Sequence, residues 1–288
     1  NLYLMDPDTG RSEKVLHEPE GTIGDPPSIS PDGKRACYYV LYPTVPNRFL
    51  GGITSVVFAL DLDPKTLKAV GEPKIIHAYP SRFYPEGKDQ MPNGVIVNHS
   101  QISPIDHDHY LYCHQYQGIP VDGTPTMMRL WENRNGLDRP LDRSGSTRWQ
   151  THELFGPKGK AVYFVEQWDV AKIDFKTGKK RIIRKNDPWY CPCHITVSPD
   201  EKWIAADMWD GREADKDRTF VSGLLLIEAA TGKSKVLCRF RRGHNHPRHP
   251  HPNFSPDGKK VAFVVADGKW NSHVAWVDVS EIISGWRK

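Results

Sequence analysis

The chain has 288 residues, a mean hydropathy of −0.59, and 39 Lys and Arg against 35 Asp and Glu, which gives a formal net charge of +4 at pH 7. This length allows a sizeable hydrophobic core and excludes a mini-protein. No apolar run approaches the roughly 18 residues that a membrane helix needs, and no basic tract indicates nucleic-acid binding. We therefore expect a protein that binds neither membranes nor nucleic acids.

The cysteines and the first residues bear on the compartment. Five cysteines is an odd number, and they are unevenly spaced at residues 37, 113, 191, 193 and 238. This argues against a disulfide framework and favours a reducing compartment. The sequence starts at Asn1 without the basic and apolar regions of a signal peptide. We predict a cytoplasmic protein, with the periplasm as the alternative if a leader has been removed.

A short turn motif recurs along the chain, and a β-rich run follows each copy. The Ser-Pro-Asp-Gly-Lys type occurs at residues 30–34, 198–202 and 255–259, with weaker copies at 103–106 and 156–160. Proline presets the first turn position and Asp-Gly supplies local hydrogen bonds and a permissive φ, so each copy predicts a hairpin turn. The runs that follow are residues 36–40, 110–113, 161–165, 203–206 and 261–265.

The repeat as a whole predicts the fold. Strand-turn-strand units at residues 2–15, 170–183 and 224–237 accompany the runs, and no stretch has a sustained helical period. The copies start at residues 30, 103, 156, 198 and 255, near the spacing of about 40 to 50 residues for a propeller blade. We predict an all-β fold, a single β-propeller domain over residues 1–288. Seven blades are expected if an amino-terminal segment is missing, or six if the chain is complete, with the Pro- and Gly-rich insertion at 80–94 as a lid or rim loop.

Four histidines occupy the same place in the repeat. Each lies four residues before the start of its turn: His99, His152, His194 and His251. In the first copy this place is Pro26. The segment before each turn is predicted to be the innermost strand of its blade, so these imidazoles should converge around a common axis.

Two further histidines precede the last turn. His249 lies two residues before His251, hence on the same strand face, and His246 lies three residues earlier still. Clustered imidazoles are common ligands for transition metals, so we interpret the group as a metal site. The alternatives are histidines that only hydrogen-bond a neighbouring blade, and a flexible metal-binding tract.

The sequence Cys191-Pro192-Cys193-His194 offers thiolates next to one of these histidines. They could serve zinc, but no second C-x-C exists for a closed structural site. Strand alternation puts Cys191 and Cys193 on one face, away from His194. We therefore expect both cysteines to be packing residues.

Four segments together resemble the oligogalacturonate lyases, a family of seven-bladed propellers that degrade pectin. They are residues 98–104 with 111–114, the Arg-Leu-Trp at 129–131, the His-Glu-Leu-Phe at 152–155, and the His-rich run 246–252 that leads into 254–258. The last segment is the most specific of the four, because the Ser-Pro-Asp-Gly turn alone occurs in many propellers.

The resemblance implies roles for individual residues. The family holds manganese with three histidines and one glutamine, and the matching residues here are His194, His249 and His251, with His246 in the glutamine position. His152 would be the Brønsted base and Arg129 a charge-stabilising partner. The resemblance implies a divalent metal, with Mn first. The histidine in place of glutamine gives a donor set of four imidazoles, which shifts the preference from Mn toward Zn, Fe, Ni or Cu, so these metals are the alternatives.

These residues suit β-elimination from a uronate, which requires charge neutralisation at the carboxylate and a base at the C5 hydrogen. We predict a metal-dependent lyase that acts on short galacturonate chains, with an anionic uronate oligosaccharide as its partner. His99, Arg148 and Arg248 are candidate substrate-binding residues, although the two arginines could equally form a solvated rim. The alternatives are a non-catalytic TolB-like propeller that binds a glycan or protein, and a lyase acting on another uronate polymer.

Overall fold

The computed structural model describes residues 1–24, 27–47, 50–82, 94–117, 129–144, 148–187, 190–210, 221–241, 249–266 and 271–286. Within these ranges the chain is built almost entirely of β-strands, as the recurring turns and β-rich runs predict. None of its described helical segments has the length and apolar character required to cross a membrane. The backbone divides into two compact units, Asn1–Thr147 and Arg148–Lys288.

The described part of the first unit consists of antiparallel sheets that follow one another along the chain. Its strands are β1 (Leu2–Met5), β2 (Ser12–Leu16), β3 (Thr22–Ile23), β4 (Ser28–Ile29), β5 (Arg35–Asn47), β6 (Leu50–Asp63), β7 (Lys68–Arg82), β8 (Gly94–Ile102), β9 (His109–Gln117), β10 (Leu130–Arg134) and β11 (Leu137–Pro140). Strands β1 and β2 pair alone, β5 to β7 form a meander with β3 and β4 along the other edge of β5, and β8 to β11 form a four-stranded sheet.

The second unit repeats the four-stranded pattern. Its strands are β12 (Gln150–Phe155), β13 (Ala161–Glu166), β14 (Asp169–Asp174), β15 (Lys180–Arg184), β16 (Cys191–Val197), β17 (Trp203–Asp210), β18 (Val221–Glu228), β19 (Ser234–Arg241), β20 (Asn253–Phe254), β21 (Lys260–Ala266) and β22 (Ser272–Asp278). They form the sheets β12 to β15, β16 to β19 and β20 to β22, each in chain order. A short helix, α1 (Ser280–Ser284), follows β22, an element that the sequence patterns do not predict.

The repeated turns adopt one geometry. In the copies that begin at Ser30, Ser198 and Ser255, the serine hydroxyl donates to the turn aspartate over 2.7, 2.7 and 2.6 Å. The copy at Gly156 lacks this hydroxyl, yet its amide donates to the carbonyl of Ala161 over 2.8 Å, as the amide of Ser30 donates to that of Arg35 over 2.8 Å. The hairpin prediction is therefore confirmed for these copies.

The predicted β-rich runs lie within β5, β9, β13, β17 and β21, and they supply the core. In the second unit, Val165, Ile204 and Leu225 belong to one buried cluster that joins the sheets β12 to β15 and β16 to β19. Side chains of alternating strand residues meet between these sheets because each sheet has an apolar face.

Most of the predicted insertion at 80–94 lies outside the described residues, as does Pro26.

Candidate metal centre

A β-bulge marks the repeat position of the in-register histidines. His99, His152 and His194 each lie in the first strand of a four-stranded sheet, at its edge. In each case the pairing with the neighbouring strand shifts register at this point: between residues 98 and 101, 151 and 154, and 192 and 195. A bulge interrupts the alternation of a strand and redirects a side chain, which explains how an edge strand presents a histidine here.

The backbone at this position is unusual in several copies. The φ angles of His99, His152 and His251 are +52°, +53° and +43°, in the left-handed region. Residues other than glycine rarely adopt this conformation, because Cβ approaches the neighbouring carbonyl oxygen. Such backbone strain persists only where the surrounding structure holds it, and it is frequent at functional sites.

Three imidazoles of the second unit come together as the sequence predicts. The ring of His194 lies 3.8 Å from that of His251 and 4.9 Å from that of His249, measured between centroids. The Nε2 atom of His194 and the Nδ1 atom of His249 are 3.4 Å apart. One nitrogen from each of the three rings lies within 4.8 Å of the others, which fits a transition-metal ion bound by imidazoles.

A buried carboxylate that the sequence analysis missed contacts this cluster. Asp207, on β17, is fully buried, and its Oδ2 lies 2.7 Å from Nδ1 of His194. The signal was available in the sequence, because Asp207 is the acidic residue that interrupts the apolar run of residues 203–208. An acid in a core strand is costly unless it is hydrogen-bonded, so it indicates a specific partner.

His152 lies beside the three imidazoles. Its ring centroid is 4.0 Å from that of His194, and its Nδ1 lies 2.8 Å from the carbonyl oxygen of Cys193. A carbonyl only accepts, so Nδ1 of His152 carries the proton and Nε2 has the lone pair. Burial, and then the nearby His194, lower the pKa of His152 to about 3, so this imidazole is neutral near pH 7.

Cys193 contradicts the expectation that its strand face excludes His194. The bulge between Pro192 and Ile195 breaks the alternation on which that expectation rests. The Sγ atom of Cys193 lies 3.9 Å from Nδ1 of His152, and a ligand atom of each of Cys193, His152 and His194 lies within 4.8 Å of the others. The Cys193 side chain is buried, as predicted for a packing residue, and burial raises the pKa of its thiol to about 12.

The other predicted site residues are distributed as follows. Arg148, in the second unit, donates to Asp169 over 2.8 Å and to the side chain of Gln167 over 3.0 Å. His99 and Arg129 belong to the first unit, where Arg129 immediately precedes β10 and its carbonyl accepts from the amide of His114 over 2.9 Å. His246 and Arg248 lie outside the described residues.

Comparison with known proteins identifies relatives of this chain in sequence and in fold. No protein-family model matches the chain. A curated oligogalacturonide lyase of Pectobacterium atrosepticum is 26% identical over 200 residues, which cover 60% of this chain and 48% of that protein. The chain thus spans about half the length of the curated relative that it matches.

Two solved structures extend the comparison to the fold. The oligogalacturonate lyase from Vibrio parahaemolyticus is 19% identical with a TM-score of 0.68, and the match covers 96% of this chain and 72% of that one. An oligogalacturonate lyase in complex with manganese is 19% identical with a TM-score of 0.67, over 99% of this chain and 73% of that one. The resemblance predicted from the sequence is confirmed, since the chain is related in sequence to an oligogalacturonide lyase and has the all-β, propeller-type fold of the oligogalacturonate lyases.

Proposed function

We propose that this protein is a metal-dependent lyase that cleaves short galacturonate chains by β-elimination. The observation that carries the proposal is the meeting of His194, His249 and His251 with a neutral His152 beside them. The names of the relatives point the same way, since they are an oligogalacturonide lyase and an oligogalacturonate lyase in complex with manganese.

The donor set supports a divalent transition metal. His194, His249 and His251 would hold the ion, with His246 as the predicted fourth ligand, and manganese is the first candidate because a structural relative contains it. Bound there, the ion would supply Lewis-acid stabilisation of the uronate carboxylate as negative charge develops on it.

The base we propose is His152. Its Nδ1 proton is engaged by the carbonyl of Cys193, so the lone pair of Nε2 is available to take the C5 proton of the uronate. The electrons of the C5–H bond first pass toward the carboxylate as an enolate-like intermediate, and they form the C4–C5 double bond when the C4–O bond breaks. The leaving oxygen takes a proton from water, and the new non-reducing end is a 4,5-unsaturated uronate.

The remaining roles rest on the resemblance. We propose Arg129 as the charge-stabilising partner, because a fixed positive charge favours the enolate-like intermediate. His99, Arg148 and Arg248 are proposed to bind the anionic substrate. Of these, Arg148 already pairs with Asp169 and with the buried Glu166, so its replacement is expected to affect stability as well as substrate binding.

The test is a product assay with metal control. Digalacturonate and trigalacturonate are incubated with the protein, and the ultraviolet absorbance of the 4,5-unsaturated product is followed. We expect absorbance that rises, stops after chelation and returns with Mn²⁺. His152→Ala should lower the rate by about 10²- to 10⁴-fold, because it removes a general base.

The matched control is His273→Ala, which removes an exposed histidine of β22 in the same unit and should leave the rate unchanged. A flat trace for the wild-type protein with Mn²⁺, Zn²⁺, Fe²⁺ and Ni²⁺ would overturn the galacturonate lyase. Full activity in His152→Ala would overturn the assignment of the base alone.

A further inference from the structure

One carboxylate receives several N–H donors from the proposed metal ligands. Asp207 is fully buried, and its Oδ1 accepts from the backbone amide of His194 over 2.6 Å. Its Oδ2 lies 2.7 Å from Nδ1 of His194 and 3.4 Å from the backbone amide of His251. A single side chain on β17 therefore contacts two of the histidines, one on β16 and one in the segment before β20.

These contacts determine the tautomer of His194. Both oxygens of Asp207 receive a backbone N–H, Oδ1 from His194 and Oδ2 from His251, so the carboxylate acts as an acceptor. Nδ1 of His194 then carries the proton, and Nε2 has the lone pair. The Nε2 atom is the one that lies 3.4 Å from Nδ1 of His249. The nitrogen that faces the other imidazoles is thus the nitrogen that is free to bind a metal.

We infer that Asp207 is a positioning residue of the metal centre, which holds His194 in the metal-binding tautomer and ties the His251 segment to β17. The inference rests on the proposed function, because it assigns Asp207 to the metal site of that lyase. Ligand histidines are commonly oriented in this way by a carboxylate on their second nitrogen, and loss of such a carboxylate typically weakens metal binding 10- to 100-fold.

Replacing Asp207 by asparagine changes the hydrogen bonds to His194 and leaves the size of the side chain nearly unchanged, so it tests the role of the carboxylate directly. Both oxygens of Asp207 accept a hydrogen bond from His194, whereas an asparagine offers one oxygen and one NH₂ group. If the NH₂ group faces the imidazole, Nδ1 must become the acceptor and the proton moves to Nε2. If it faces the amide instead, two donors oppose each other in a buried place. Asp207→Asn is therefore expected to displace His194 from its metal-binding state while nearly preserving volume.

The chain provides a matched control in the first unit. Glu132 is fully buried and contacts Nε2 of the buried His109 over 2.5 Å, so it forms a similar carboxylate–imidazole pair. Among the described residues, neither Glu132 nor His109 belongs to a cluster of side chains that could hold a metal ion. Glu132→Gln therefore reports the general cost of losing a buried pair of this kind.

Two measurements on the full chain test the inference. The first is the two-bond ¹H–¹⁵N correlation spectrum of the metal-free, ¹⁵N-histidine-labelled protein, with the His194 signal assigned by its loss in His194→Gln. We expect the Nδ1–H tautomer in the wild type and in Glu132→Gln, and a shift toward Nε2–H in Asp207→Asn. The second is the Kd of Mn²⁺ by titration calorimetry, expected to rise 10- to 100-fold in Asp207→Asn only.

The outcomes separate this inference from the proposed function. An Nε2–H tautomer of His194 in the wild type overturns the inference even if Asp207→Asn fails to fold. So does an Asp207→Asn protein that binds Mn²⁺ as tightly as the wild type, or a wild type that binds no Mn²⁺. Conversely, suppose that Asp207→Asn binds Mn²⁺ more weakly, as expected, while the wild-type protein forms no unsaturated product. That result would refute the lyase and leave the role of Asp207 at the metal centre standing.

Discussion

His114, in the first unit, is a histidine held neutral by its surroundings. It is only 4% exposed, and its ring stacks on that of Trp131 at 4.7 Å between centroids. Its Nε2 lies 3.2 Å from Nε2 of His77, whose Nδ1 in turn lies 2.9 Å from a carboxylate oxygen of Asp138. Burial, and then the neighbouring His77, lower the pKa of His114 to about 4. Asp138 acts in the opposite direction and raises this pKa, but its effect is smaller.

This lowered pKa predicts a pH dependence of stability. As pH falls, the unfolded chain protonates His114 near its ordinary value of about 6.5, whereas the folded chain does so only near 4. The free energy of unfolding should therefore decrease between about pH 6.5 and 4, by up to about 3 kcal/mol, and this contribution is fully present above pH 6.5. His114→Phe retains the ring and removes the titrating group, so urea unfolding between pH 7 and 4 should show a shallower decrease.

His17→Phe is the control, because His17 is exposed and lies beside Asn1. It should follow the pH profile of the wild-type protein. Identical profiles for the wild type and His114→Phe would show that burial of His114 does not contribute to acid sensitivity.

Single residues differ in how far the sequence can predict them. The closeness of His194 and His251 can be predicted from the sequence, because the recurring turn provides a common origin for counting along the chain. Asp207 has no counterpart in that register, and it reaches His194 across a strand pair whose ladder is interrupted at residues 192–195. A contact that crosses from one strand to the next depends on register, which a single sequence does not specify.

At the scale of the strand, the repeat predicts where the histidines lie in the sequence, but it does not predict that the strand forms a β-bulge at these positions. Alternation predicted separate faces for Cys193 and His194, and the extra residue of the bulge cancels that alternation. The apolar runs, in contrast, were correctly predicted as strands, because regular β-structure depends on side-chain composition over only a few residues.

The left-handed backbone at His99 predicts that a glycine variant is more stable than an alanine variant, the reverse of the usual order in a strand. At His99, φ is +52°, where a Cβ atom costs about 1 to 2 kcal/mol and glycine fits without strain. His99→Gly should therefore be more stable than His99→Ala by about 1 kcal/mol, measured by urea unfolding.

Gln101, two residues further along β8 and outside the positive-φ positions, gives the matched comparison. There glycine should be less stable than alanine by about 0.5 to 1 kcal/mol, as in ordinary strands. The same order of stability at both positions would contradict the argument from backbone strain.

At the scale of the molecule, the sequence predicts the class of fold better than it predicts the number of blades. Local patterns establish that sheets follow one another along the chain, and the four-stranded sheets β8 to β11, β12 to β15 and β16 to β19 confirm this. The number of blades depends on contacts between segments far apart in sequence, which no local pattern contains, so seven or six blades stays a prediction.

Metal binding should stabilise the folded chain as a whole. The three imidazoles come from β16 and from the segment before β20, more than fifty residues apart in the sequence, since His194 contacts His249 at a separation of 55. An ion that binds them only when both segments are in place favours the folded state by about 2.7 kcal/mol at a free concentration of 100 times its Kd. Saturating Mn²⁺ should therefore raise the Tm by several degrees, and a chelator should reverse the change.

Variants connect this increase in Tm to the proposed ligands. His194→Ala should abolish the increase, and Asp207→Asn should reduce it at the same Mn²⁺ concentration, because a weaker Kd lowers the linkage term. His273→Ala, on the exposed face of β22, should retain the full increase. Differential scanning calorimetry with and without Mn²⁺ measures all four proteins. If Mn²⁺ raised the Tm equally in His194→Ala and in the wild type, the ion would be binding elsewhere, and the three-histidine centre would not be the site that stabilises the fold.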